Sequence, residues 1–254
     1  MFFPVSSKTR LLLLLLALVG APLYGAVIYP RLLDVSKSRS APYKFVGQLL
    51  FTSGSKDYVG SGSVIKPKSV LTAGHNVYDA EGGWSVDIRF NRAQYGATAL
   101  GTYRPNHIYL LGGYQQSVQA HGPDDVLSFA YDAAGLAFAA PVTGGSYLGY
   151  TTNTAWLNAG NFQMAVGYAA EGNHDGDHPF VEFPTHGFSR TAGGFWESPN
   201  VYFEGGMSGG PLLVPGYYGT QVAAIVVSSS TDPVYGGIRV VDGPLATLIN
   251  TQLH

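Results

Sequence analysis

The 254-residue sequence contains no cysteine. A thiol nucleophile, a thiolate metal site and a disulfide framework are therefore excluded, and packing and hydrogen bonds alone must hold the fold. Charge is also scarce. Only 12% of residues are Asp, Glu, Lys or Arg, the net charge is -2 and the isoelectric point is near 6.4. A chain of this balance has no electrostatic grip on nucleic acid or on an anionic membrane. No internal repeat of 20 to 50 residues is visible, which argues against a solenoid or propeller. No apolar run reaches the roughly 20 residues a spanning helix needs. The longest unbroken one, Leu11 to Val19, follows Lys8 and Arg10 and ends at Gly20-Ala21-Pro22. A cationic flank followed by a short apolar core reads as an export signal, here ending near residue 26. The rival is an uncleaved anchor from Leu11 to about Tyr29, interrupted by Pro22. The signal reading places the mature protein outside the cytoplasm, secreted or periplasmic, with no membrane span left after cleavage.

What is abundant is glycine (34), tyrosine (17) and proline (15), in a chain that is 46% hydrophobic. Such a chain suits many short strands joined by tight turns, and its length is enough for one large core or two small ones. Residues 27–41 are mixed and read as a linker or short propeptide. From Tyr43 onward short apolar runs end at turn residues, as in 45–52, 58–66, 70–72, 97–103 and 136–140. In the stretch 84–90, Trp84, Val86, Ile88 and Phe90 alternate with polar residues and are expected on one strand face. Residues 112–124 read as a polar loop. After Gly144-Gly145-Ser146 a second set of runs follows, at 162–168, 180–183, 188–192, 201–203, 211–214, 222–228 and 237–241. Leu245, Leu248 and Ile249 share one helical face and predict a helix over 245–252. The pattern is all-β, with paired barrels and a C-terminal helix.

Two segments carry chemistry. Gly205-Gly206-Met207-Ser208-Gly209-Gly210-Pro211 surrounds a serine with glycines. A serine hydroxyl needs a base to take its proton and N–H groups to meet the developing oxyanion, and glycine permits the turn that aims them. A plain glycine-rich turn is the alternative. Val70-Leu71-Thr72-Ala73-Gly74-His75 is a short strand that delivers a histidine at its end. The other six histidines, at 107, 121, 174, 178, 186 and 254, lack such a setting. A third residue, a buried carboxylate, is needed to orient the imidazole. Asp132 in Tyr131-Asp132-Ala133-Ala134-Gly135-Leu136 sits in an apolar stretch, where an unpaired carboxylate is costly. Asp124 and Asp125, after Gly122-Pro123, are alternatives that read as an exposed turn.

Together these stretches resemble the chymotrypsin/trypsin family of serine proteases, over roughly residues 43 to 252. The resemblance rests on Gly-x-Ser-Gly-Gly-Pro at 206–211, Thr-Ala-Gly-His at 72–75 and the Asp-x-Ala-x-Leu-like stretch at 132–136. The order His75, Asp132, Ser208 is that of chymotrypsin and differs from subtilisin and the α/β-hydrolases. The resemblance implies two six-stranded antiparallel Greek-key barrels over about 42–143 and 144–254, and a secreted endopeptidase that acts on polypeptides without cofactor or metal as a monomer. It further implies His75, Asp132 and Ser208 as the catalytic triad and the N–H groups of Gly206 and Ser208 as the oxyanion hole. By the same resemblance Tyr202 lies at the floor of the specificity pocket, Gly236 on its opposite wall, and Val227, Ser228 and Ser229 along the substrate backbone. The glutamyl-endopeptidase branch is the most similar, although its pocket histidine has no match after Ile225.

Met207 departs from the aspartate that precedes the nucleophile in the trypsin-like subgroup. It cannot pair with a new N-terminal amine, so packing must hold the oxyanion hole. A catalytically silent binding or adhesion module is the second functional expectation. The stretch Glu171 to His178 offers alternating oxygen and nitrogen ligands that would suit calcium. It lacks an EF-hand frame and reads first as a solvated loop.

Overall fold

In the computed structural model, described over residues 29–217 and 219–253, the chain forms two large, mainly antiparallel sheets. Along the chain the first ten strands are β1 (Arg31–Leu32), β2 (Val46–Ser53), β3 (Lys56–Lys66), β4 (Ser69–Thr72), β5 (Tyr78–Asp79), β6 (Gly83–Trp84), β7 (Val86–Arg92), β8 (Gly101–Tyr103), β9 (His107–Leu110) and β10 (Ala134–Ala137). The remaining eight are β11 (Gly149–Tyr150), β12 (Met164–Gly167), β13 (Phe180–Glu182), β14 (Ser189–Ala192), β15 (Phe195–Pro199), β16 (Pro211–Gly216), β17 (Gly219–Thr231) and β18 (Val234–Val240). The first sheet has seven strands in the order β8-β7-β2-β3-β4-β10-β9, and β5 and β6 form a separate hairpin. The second has nine, β1-β13-β12-β16-β17-β18-β15-β14 with β11 added in parallel to β17.

Both sheets exceed the six strands expected of each unit. Part of the excess comes from the stretch read as a linker. Arg31 and Leu32 pair with Val181 and Phe180, Leu33 is buried, and Arg39 donates to the Thr98 carbonyl and hydroxyl. The stretch 112–124 differs too. It holds a helix, Tyr114–His121, that buries Tyr114 and Val118 one turn apart. The alternation expected over 84–90 holds for Ile88 and Phe90, which are buried, and fails for Trp84 and Val86, which are exposed. Asp87 has φ +53° and the β2–β7 register shifts between Leu50 and Thr52. A left-handed residue inside a bulge turns the following pleat over, and short polar side chains tolerate it best. The stretch expected to be an export signal, up to about residue 26, lies outside the described residues. Among the described residues no helix is long and apolar enough to cross a membrane.

One apolar core joins the two sheets. Leu49, Leu71 and Leu136 of the first meet Val166, Leu213 and Ile225 of the second. A second cluster inside the later sheet holds Phe180, Phe203, Met207, Leu212 and Ile238. The C-terminal helix, Gly243–Thr251, closes the shared core with Leu245, Leu248 and Ile249, the face expected from their spacing. Asp242 caps its first turn by accepting from Leu245 N–H, and Pro244 stands where no intrahelical donor is needed. At its other end Lys66 of β3 donates Nζ to the carbonyls of Ile249 and Leu253. Those carbonyls have no intrahelical partner, so a cation there is favoured by both hydrogen bonding and the helix dipole.

Candidate active site

β4 ends at Thr72, and a single 3-10 turn, Gly74–Asn76, follows it. The imidazole of His75 is thereby held at the end of the first sheet with its side chain 31% exposed. Asp132 follows the short helix Val126–Phe129 and precedes β10, and it is 1% exposed. Its two oxygens are both committed to His75. Oδ2 lies 2.6 Å from Nδ1 and Oδ1 accepts the backbone N–H at 2.9 Å. This double contact fixes the ring plane and assigns the proton on Nδ1 to the carboxylate side, leaving Nε2 as the free base. Of the alternatives, Asp125 is spent on capping the helix by accepting from Leu127 N–H, while Asp124 is exposed at the cleft.

Burial disfavours the imidazolium, but the Asp132 carboxylate and its hydrogen bond outweigh that, and the more distant Asp124 and Asp79 add to it. The His75 pKa is consequently raised above the ordinary value near 6.5. A base works only when unprotonated, so activity should rise with pH along a limb whose midpoint lies above 6.5. Asp124→Asn removes a charge that favours the imidazolium, so it should move that limb to lower pH in kcat/KM profiles. A shift to higher pH would contradict the assignment.

The serine stands in a turn whose peptide groups are nearly all fixed. Met207 N–H donates to Glu204 C=O at 3.0 Å, and Gly206, third residue of that turn, has φ +91°. This is the position of a type II turn that glycine fills without strain, and a Cβ here would also overlap the Tyr168 carbonyl. Five consecutive carbonyls have donors. Glu204 takes Met207 N–H, Gly205 takes Ala170 N–H, Gly206 takes Ser61 Oγ, Met207 takes Gly210 N–H, and Ser208 takes both Ser61 N–H and Asn76 Nδ2. In a trans peptide the C=O and the next N–H point oppositely. Anchoring the Gly205 and Met207 carbonyls therefore aims the Gly206 and Ser208 N–H groups the other way. Among the described residues these two N–H groups have no protein acceptor, whereas Gly205 N–H binds Glu171 Oε2 and Gly209 N–H binds Val226 C=O.

Asn76 joins the two halves of the site. Next in sequence to His75 and 1% exposed, it donates Nδ2 to the Ser208 carbonyl and to Thr72 Oγ1, both at 3.0 Å. Ser61 does similar work by bridging Tyr168 N–H to the Gly206 carbonyl, each at 2.8 Å. Neither was singled out in the sequence. The only signal was small residues around them, Gly60, Gly62 and Gly74, which let the strands approach.

Met207 is fully buried, with its backbone and side chain against Gly167 and its neighbours Phe203 and Leu212 in the second cluster. Packing thus occupies the place where an ion pair was ruled out. Met207→Ala should cost about 2–5 kcal/mol of stability, the usual range for a buried Met, measured by chemical denaturation. A loss below about 1 kcal/mol would remove the packing role.

An open cleft of about 700 Å³ runs past His75, lined among others by Phe51, Tyr58, Asp124, Phe129, Val227 and Ser229. Pairing of β16 with β17 ends at Ile225, so Val227 to Thr231 have a strand neighbour, β18, on one side only. Val227, Ser228 and Ser229 lie along the cleft. Tyr202 and Gly236 do not. The Tyr202 hydroxyl donates to Glu171 Oε2 at 2.8 Å and its ring meets Tyr29, in a small cavity shared with His174 and Glu204. Gly236 is buried against Val201 and Phe203. Several polar groups of the stretch 171–178 are engaged by protein partners, some from distant segments. His174 pairs with Glu204, Asp175 with His178 and Asp177 N–H, and Asp177 with Gln48. Among the described residues no group of three His, Asp or Glu side chains is placed to hold a metal ion.

No protein-family model matches the chain. It is 31% identical over 86 residues to a protein named extracellular metalloprotease from Bacillus subtilis (strain 168). That match takes in 33% of this chain and 28% of the other, so it spans under a third of the relative's length. Three solved structures are similar over most of the chain, each at 18% identity. Protease Anisep from Arthrobacter nicotinovorans gives a TM-score of 0.65, covering 84% of this chain and 96% of that one. The thermostable serine protease AL20 from an extremophilic microorganism gives 0.62, covering 80% and 94%. A Glu endopeptidase gives 0.66, covering 89% and 96%. The likeness is one of architecture, and it shows that this cysteine-free chain has the fold of the bacterial chymotrypsin-like serine proteases.

Proposed function

We propose that the chain is an exported serine endopeptidase, with its export signal ending near residue 26 and its peptidase unit in residues 42–254. The observation that carries this reading is the pair of unengaged N–H groups at Gly206 and Ser208, in a turn bonded through Asn76 to the segment whose histidine a buried carboxylate orients. An extended peptide lies along Val227 to Ser229 as an added strand. His75 Nε2 takes the proton of Ser208 as Oγ attacks the scissile carbonyl. The negative charge that develops on the carbonyl oxygen is met by the two N–H groups, which are oriented in advance and need no reorganisation. His75 then gives the proton to the leaving amine, and water hydrolyses the acyl-enzyme by the same steps. Asp132 stabilises the imidazolium that forms between these steps.

A fluorophosphonate probe tests this directly. The folded protein should be labelled once per chain, with the added mass on the peptide that contains Ser208. Absence of labelling, or labelling elsewhere, would reject the nucleophile and favour a silent binding module.

A further inference from the structure

Resting on the peptidase reading, we infer that the residue preceding the scissile bond must have a small side chain, glycine, alanine or serine, and that Ser229 sets this limit. With the substrate carbonyl oxygen between the Gly206 and Ser208 N–H groups and its backbone along Val227 to Ser229, that side chain enters between two segments. One is the approach to the serine turn, 203–205, and the other is the free edge of β17, 228–229.

Those segments are tied together at shallow depth. Phe203 N–H donates to Ser229 Oγ at 3.0 Å, and Ser229 Oγ in turn donates to the Tyr235 carbonyl at 3.3 Å. A hydrogen bond of that length leaves no passage for a side chain between its partners. Below the tie the space is already filled. Phe203 is 2% exposed and Val201 is fully buried. A Cβ on Gly236 would lie 2.7 Å from Val201 and 2.8 Å from the Phe203 ring, so these side chains rest directly on the Gly236 backbone. The third side is shut because β17 and β18 remain paired to the end, from Ser228↔Gly237 through Ser229↔Gly236 to Thr231↔Val234. Tyr202, between Val201 and Phe203 in sequence, is directed away from this space toward Glu171. What is left above Phe203 is a shallow slot.

The experiment compares the purified full chain with Ser229→Gly and Ser229→Ala on one set of internally quenched peptides. These differ only at the residue before the scissile bond: Gly, Ala, Ser, Val, Leu, Phe, Lys or Glu. Wild-type kcat/KM should favour Ala or Ser over Leu, Phe, Lys and Glu by about 10-fold or more, the scale of steric discrimination in a closed pocket. Ser229→Gly removes both the hydroxyl tie and the Cβ. The Leu-to-Ala ratio should then rise by about 10-fold, and by less in Ser229→Ala. Fluorophosphonate labelling of each protein separates the two levels of the argument. If the wild type is labelled but prefers a large or charged residue, or cleaves none of the small-residue peptides, the slot is overturned and the nucleophile stands. If it is neither labelled nor active, the peptidase reading falls and the slot with it. If small residues are preferred but the ratio is unchanged in both labelled variants, Ser229 is not the limit. Should both variants fail to fold, the wild-type profile alone decides whether the slot is small.

Discussion

Ser208→Ala should lower kcat by about 10⁶-fold while leaving the fold and peptide binding intact, since removing the nucleophile of such a triad costs about that much elsewhere. The substitution deletes one oxygen from a half-buried side chain that makes no hydrogen bond among the described residues. The turn does not depend on that hydroxyl. It is fixed by carbonyl bonds at positions 204 to 208 and by buried Met207. The backbone N–H groups at positions 206 and 208 keep their direction in the variant, so residual hydrolysis above the uncatalysed rate is expected from them. Active-site titration and circular dichroism of the same preparation check both halves of this expectation. A variant retaining more than about one hundredth of the wild-type rate would place the nucleophile elsewhere.

Asp132→Asn should lower kcat by about 10⁴-fold at neutral pH, with little change in stability, through the tautomer of a neighbouring ring. In the native protein Oδ1 accepts the His75 backbone N–H and Oδ2 faces Nδ1. Asparagine has nearly the same shape and keeps one carbonyl oxygen, which continues to serve the backbone N–H. Its amide then faces Nδ1 and donates. Nδ1 becomes an acceptor and the proton moves to Nε2, the atom that has to receive the serine proton. Loss of the carboxylate also withdraws the main attraction that raises the His75 pKa, so the imidazolium formed during reaction loses its stabiliser. Measured pH profiles and the ¹⁵N shifts of the ring distinguish this from unfolding. Asp132→Asn with near-native rates would mean that another carboxylate, Asp124 first, orients the ring.

The all-β class and the terminal helix were legible because both rest on local periodicity. Leu245, Leu248 and Ile249 recur on one helical face, and short apolar runs end at glycines. His75, Asp132 and Ser208 were nameable for a different reason. Each sits in a short motif, at 72–75, 132–136 and 206–211, that resembles one of the chymotrypsin/trypsin family. Non-local features left no such trace. Asn76 and Ser208 are 132 positions apart, and nothing near Asn76 announces a bond to that carbonyl. The helix Tyr114–His121 has a Gln-rich exterior and buries polar Ser117, and two apolar residues one turn apart do not outweigh these as a pattern. The turnover of the strand at Asp87 depends on a bulge against β2 that alternation cannot reveal. Tyr202 was placed by counting back from the nucleophile, but the side chain is drawn off by Glu171 on a loop some thirty residues earlier.

The bond from Lys66 to the final helix has a bearing on timing. Residues near positions 249 and 253 close over the sheet that carries His75, and Leu253 sits directly on Gly135 in the strand after Asp132. A polypeptide made from its N-terminus onward can pair the strands of that sheet early, but it cannot cover their apolar face until the helix 243–251 has been made. The serine turn likewise meets its partners Ser61 and Asn76 across more than a hundred residues, so the candidate site takes shape only after both sheets have been made.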